Sequence, residues 1–141
     1  MKLIFTYKNV RAHVNEIDLR CFASIEGCES NWQLPYNKYL CSWLSCDVDT
    51  TQSCTSILAQ IEQLERGEKE LAYGGGNAWF VTIYRDHVDF ELQSENEHPD
   101  WPIWKCSLAE VKTALIGWRK FLKMPKRLDS AMEIELSPSP A

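Results

Sequence analysis

The stretch AWFVTIYRDHVDFEL, residues 78–92, decides the fold. In its first half Trp79, Val81 and Ile83 share one side, and Phe80, Thr82 and Tyr84 share the other. After Arg85-Asp86 the alternation resumes, with Val88, Phe90 and Leu92 set against His87, Asp89, Glu91 and Gln93. A period of two marks a strand, because successive side chains leave a pleated backbone on opposite sides. Two such runs joined by two residues read as an antiparallel hairpin, although Arg-Asp is not the Asn-Gly or Asp-Gly pair that tight hairpin turns favour. The second strand has one apolar face and one acidic face.

Toward the C-terminus, residues 94–100 are a polar loop, and residues 101–106 read as a short edge strand because Pro102 is excluded from a central one. Ser107-Leu108-Ala109-Glu110 has the spacing of a capping box, in which a serine oxygen and a glutamate satisfy the free N–H groups that open a helix. Val111, Ala114, Leu115, Trp118, Phe121 and Leu122 give that helix an apolar stripe, and Pro125 limits it. Beyond it, residues 125–141 read as a tail, in which residues 132–136 alternate and can add one strand.

Toward the N-terminus, Gly74-Gly75-Gly76-Asn77 is a turn into the hairpin. Before it, Ile57, Leu58, Ile61 and Leu64 form one helical stripe, with Ser53 or Thr51 as N-cap and Gly67 at the C′ position. Tyr36, Tyr39, Leu40, Trp43 and Leu44 line one face of a short helix. Residues 10–24 hold two alternating runs one step out of phase, which predicts a bulge or break near Asn15, and residues 2–7 read as an opening strand. No segment resembles a linker. The pattern predicts an α+β fold: a single domain over residues 1–124, an antiparallel sheet with helices packed on one face, and the tail.

Composition narrows the function. The chain has 141 residues, 45% of them hydrophobic, and a formal net charge of −5. A chain of this length buries roughly 70% of the surface it exposes when unfolded, and its apolar content argues against disorder. The acidic balance disfavours direct nucleic-acid binding, which needs clustered Lys and Arg, and suits a basic protein partner. The opening residues lack the 7–15 residue apolar core of a secretory signal, roughly, and no run approaches the ~18 residues of a membrane span. A cytoplasmic location without membrane contact is therefore the expectation; oligomeric state leaves no trace in the sequence.

Six cysteines (Cys21, Cys28, Cys41, Cys46, Cys54 and Cys106) suggest a disulfide framework, but without a secretory signal they read as reduced apolar filler. No CxxC pair exists and the three histidines stand apart, so no metal site is expected. The glycines of residues 74–76 lead into a strand with no lysine following, which is not a phosphate loop. A hydrolase built on a Cys/His pair would need a base oriented beside a thiol, and no nucleophile signature surrounds any cysteine. Asp89 and Glu91 project to one side but face water amid other carboxylates, a solvated strand face and not a setting for acid–base work. The expectation is a protein without catalytic residues or cofactor.

Charge, by contrast, is segregated. From Asp86 to Asp100 there are six acids, Asp86, Asp89, Glu91, Glu95, Glu97 and Asp100, and no Lys or Arg. After Trp104 come seven basic residues against four acidic ones, a separation that solubility alone does not require. Trp79 and Trp118 lie on core stripes, whereas Trp101 and Trp104 stand beside the acidic stretch as partly exposed anchors. The six acids and Trp101 and Trp104 are the expected partner-binding set.

Glu65-Arg66-Gly67, Gly76-Asn77-x-Trp79 opening a strand, Val81, Ile83, the Asp86 turn, Val88, and the closing helix Leu108 to Trp118-Arg119-x-Phe121-Leu122 resemble immunity proteins of bacterial contact-dependent growth inhibition and related polymorphic-toxin systems. The resemblance covers roughly residues 57–122; the first 50 residues match no such pattern. It implies a cytoplasmic protein that neutralises the C-terminal toxin domain of a cognate exported effector. Such toxins are often nucleases, frequently acting on tRNA, with basic substrate grooves. No binding residue carries over from the family. The competing expectation is an intracellular adaptor or assembly subunit whose partner is not a toxin.

Overall fold

A computed structural model describes residues 1–26, 34–76, 78–93 and 101–137. Its strands fall into two antiparallel sheets. The first has the order β2-β1-β7, from β1 (Lys2–Asn9), β2 (Leu19–Ile25) and β7 (Ala131–Glu135). The second has the order β3-β4-β5-β6, from β3 (Ala72–Tyr73), β4 (Trp79–Ile83), β5 (His87–Leu92) and β6 (Trp104–Ser107). Helices α1 (Ser42–Asp47), α2 (Thr51–Glu65) and α3 (Leu108–Leu122) supply the rest, with a π-helical turn over Tyr36–Cys41 running into α1. The architecture is α+β with antiparallel pairing throughout, as the sequence pattern predicts; its strands divide over two sheets.

Helix α3 belongs to both halves, packing on β1 and β7 as well as on β5 and β6. Leu3, Phe5 and Tyr7 alternate into the core from β1, and the Phe5 ring meets Trp118 edge-on at 5.0 Å while Tyr7 lies 4.8 Å from Phe121. Both fully buried tryptophans of the helical layer keep their indole N–H satisfied: Trp43 donates to the Gly74 carbonyl at 2.8 Å and Trp118 to the Val48 carbonyl at 2.6 Å. That is the condition for burying an indole without an orphan donor. The edge of β2 is covered by side chains, since Ser45 Oγ accepts from the Ala23 N–H and Asn37 Oδ1 from the Ile25 N–H. A helix thereby blocks further pairing along an otherwise open strand.

Several local expectations are sharpened. The phase slip near Asn15 is a hairpin loop: a 3-10 turn over Ala12–Val14 closes on Asn15 at φ 58°, and Ile17 is 84% exposed. The N-cap of α2 is Thr50 and neither Thr51 nor Ser53, and it accepts from the Ser53 N–H at 3.0 Å. Gly67 takes the left-handed C′ conformation at φ +76°. Ser107 caps α3 by accepting from the Glu110 N–H. Within the 125–141 tail, β7 pairs with β1, Leu3 facing Ile134 and Phe5 facing Met132. Strand β3, only two residues long, carries no periodicity that sequence reading can use.

Candidate functional site

The β4–β5 register sorts the hairpin by parity. Trp79, Val81 and Ile83 of β4 and Val88 and Phe90 of β5 are buried under the helices. On the other face Phe80 stands opposite Glu91 and Thr82 opposite Asp89. The row continues to both edges, Tyr73 of β3 pairing with Thr82 and Lys105 of β6 with Asp89. Tyr73 and Phe80 are 67% and 57% exposed, large aromatic surfaces for positions on a sheet face. With Gly75, Thr82, Glu91 and Gln93 they line a shallow groove of about 630 Å³.

Two features hold this face in place. At the end of α1, the Asp47 carboxylate accepts from the backbone N–H groups of Gly76, Ala78 and Trp79 at 3.2, 3.1 and 2.9 Å. It thus pins the loop that leads into β4. Gly75 packs so closely that a β-carbon there would lie 2.4 Å from the Trp79 carbonyl oxygen, which excludes any side chain. The glycine run serves this approach.

Of the expected acids, Asp86, Asp89 and Glu91 are described; Glu95, Glu97 and Asp100 lie outside the described residues. Asp86 is exposed in the β4–β5 turn, where its Oδ1 sits 2.7 Å from His87 Nδ1. This hydrogen bond holds the Asp86 carboxyl below its ordinary pKa. His87 stacks on Tyr84 at 4.5 Å and presents Nε2 3.6 Å from Asp89 Oδ1, an oxygen shielded from water that accepts no hydrogen bond among the described residues. Glu91 is exposed and joins no ion pair among the described residues.

Trp101 and Trp104 do not join these acids. Trp104 is in register with Phe90, so it lies on the core-facing side, stacked 5.5 Å from Tyr39. Trp101 packs at 6.0 Å from Trp79 and 5.9 Å from Tyr39, with Lys38 Nζ 4.2 Å over its ring. Both are half-buried: parity puts Trp104 across the sheet from Asp89 and Glu91, because the residue opposite Asp89 is Lys105, and its contacts with the buried Trp79 and Tyr39 put Trp101 on the core side as well. The aromatic partners of the acids are Phe80 and Tyr73. The alternation assigns Phe80 to the face of Thr82 and Tyr84; Tyr73 was out of reach because nothing marks β3.

The polar interior holds one further cluster. Glu110, 4% exposed, accepts from the Tyr36 hydroxyl at 2.5 Å and the Ser107 hydroxyl at 2.9 Å, with Cys106 Sγ at 3.4 Å. Burial and this carboxylate push both the Tyr36 phenol and the Cys106 thiol upward in pKa. Burial alone pushes the Cys41 thiol up to about 12, and it is the main cause holding Cys54 at about 11. These groups are neutral thiols near pH 7, and a thiol is a poor nucleophile until ionised. The five described cysteines are free; Cys28 lies outside the described residues. Among the described residues no group of three or more His, Cys, Asp or Glu side chains is placed to hold a metal, and no helix is long and apolar enough to cross a membrane.

The face therefore offers aromatic surface, negative charge and a shallow groove, which is binding chemistry. Comparison with family models, curated proteins and solved structures finds no match to this chain.

Proposed function

We propose that this chain is an immunity protein of the contact-dependent growth inhibition type. In this reading it acts in the cytoplasm as a binder, without catalysis or cofactor, and neutralises the C-terminal toxin domain of a cognate effector. The favoured toxin is a nuclease, with tRNA as a target class. The observation that carries the reading is the open face of β3-β4-β5-β6, where Tyr73 and Phe80 stand exposed beside Asp89 and Glu91. A nuclease groove must be basic to hold a phosphate backbone. An acidic sheet face laid against it competes with that backbone, and complementary charge speeds encounter toward 10⁸ M⁻¹s⁻¹, roughly, at low salt. The exposed rings supply the apolar contact that charge alone lacks.

Two tests bear on it. The reading frame immediately upstream should encode a large exported protein with a variable C-terminal region. Co-expression of this chain should restore growth to cells making that region's toxin domain, and to none making an unrelated toxin. Failure to protect against the neighbouring toxin would overturn the reading and favour an adaptor with another partner.

A further inference from the structure

Phe80 and Glu91 are direct cross-strand partners, and Tyr73, opposite Thr82, is the diagonal neighbour of Phe80. Opposed residues bring their β-carbons to within about 4.5–5.5 Å, and diagonal ones to about 7–8 Å, still within reach of aromatic side chains. Single exposed aromatics are ordinary on protein surfaces. Two on one strip, against a carboxylate that joins no ion pair among the described residues, form a combination with its own chemistry. The face of an aromatic ring attracts a cation, and a carboxylate accepts its N–H groups. A guanidinium satisfies both at once: it is flat and weakly hydrated, so it stacks on the ring while its edge points at the carboxylate. An ammonium is a compact, strongly hydrated charge and gains less from the ring.

We propose that this strip receives an arginine side chain of the basic partner, its guanidinium stacked on Phe80 with its N–H edge toward Glu91, and Tyr73 flanking it. Asp89 adds long-range attraction; its shielded Oδ1, beside His87, is turned away from a direct role. The inference rests on the binding role proposed above and deepens it, by naming the side chain that the face selects.

The test is a titration of the whole chain, followed by NMR, with a hexa-arginine and a hexa-lysine peptide of equal charge. The expected result is that hexa-arginine shifts the ring signals of Phe80 and Tyr73 and the β4–β5 amides, and binds about two- to fivefold more tightly than hexa-lysine. Phe80→Leu, which keeps apolar bulk without a π face, should erase that preference and leave the spectrum elsewhere unchanged. Glu91→Gln should weaken hexa-arginine binding by a similar factor. Equal affinity for the two peptides, or a preference that survives Phe80→Leu, would overturn the proposal. The two readings also separate in cells. If the unaltered chain, Phe80→Leu and Glu91→Gln all neutralise the neighbouring toxin equally, the arginine contact falls and the immunity role stands. If arginine preference is found and no toxin is neutralised, the immunity role falls and the recognition strip stands.

Discussion

The two faces of the β4–β5 hairpin are made of the same kinds of residue and do opposite work. On the core side, Phe90 is fully buried, edge-on to Trp43 at 5.4 Å and 5.6 Å from Trp104, while Trp79 lies 5.4 Å from Tyr39. One residue away, Phe80 and Tyr73 keep more than half their surface in water, beside Asp89 and Glu91. The pleat alone separates the two sets, so a residue's contribution to stability or to recognition follows from its parity in the strand. The difference teaches where substitutions should unfold the protein and where they should leave it folded but blind to its partner.

The largest effect expected is on the buried side. Phe90→Ala removes a ring from a closed aromatic cluster and should cost about 3–5 kcal/mol in urea denaturation. A loss under ~1 kcal/mol would mean that this face is not the closed side. Next comes Asp47→Ala, which strands the N–H groups of Ala78 and Trp79 and leaves that of Gly76 with its 3.3 Å bond to the Trp79 carbonyl. It should cost about 1–3 kcal/mol and speed amide exchange at those positions. Unchanged exchange there would show that the loop holds itself.

A third expectation concerns pH and has a definite sign. The folded state holds the Cys41 and Cys54 thiols at about 12 and about 11, above the ordinary value of 9.0. Their contribution to stability is complete below pH 9 and is lost as pH climbs through 11 to 12, because the unfolded chain gives up these protons first. The slope is at most about 1.4 kcal/mol per thiol per pH unit. Denaturation midpoints should therefore fall above pH 9, and replacing both cysteines with alanine should flatten part of that decline. An identical decline in the double variant would assign it elsewhere.

The smallest effect on stability belongs to the open face. Phe80→Ala and Tyr73→Ala should change stability by no more than about 0.5 kcal/mol, since each ring already stands in water. A loss of several kcal/mol at Phe80 would merge the two faces and remove the strip as a binding surface.

Much of this comparison is legible in the sequence, and the limits have physical causes. Alternation in the two runs on either side of Arg85-Asp86 announces the hairpin and its acidic side, because a period of two leaves no ambiguity of face. The capping pair Ser107 and Glu110 marks the start of α3 through local hydrogen bonds. What sequence misses is set by distant partners. The two residues of β3 are a strand only because β4 lies beside them. Nothing local to the tail shows that β7 finds β1, more than 120 residues earlier. The placement of Trp104 depends on a register between β5 and β6 that shifts every face if it slips by one. Proximity in sequence thus paired the acids with tryptophans, where the sheet pairs them with Phe80 and Tyr73.

The most direct test of the central claim is the association rate with the neighbouring toxin domain, measured for the unaltered chain and for the double reversal Asp89→Lys/Glu91→Lys. If the open face meets a basic groove, reversal should slow association by about tenfold or more at low salt, and the gap should close in about 1 M salt, where charges are screened beyond about 3 Å. An unchanged rate and affinity in a folded double variant would contradict the account.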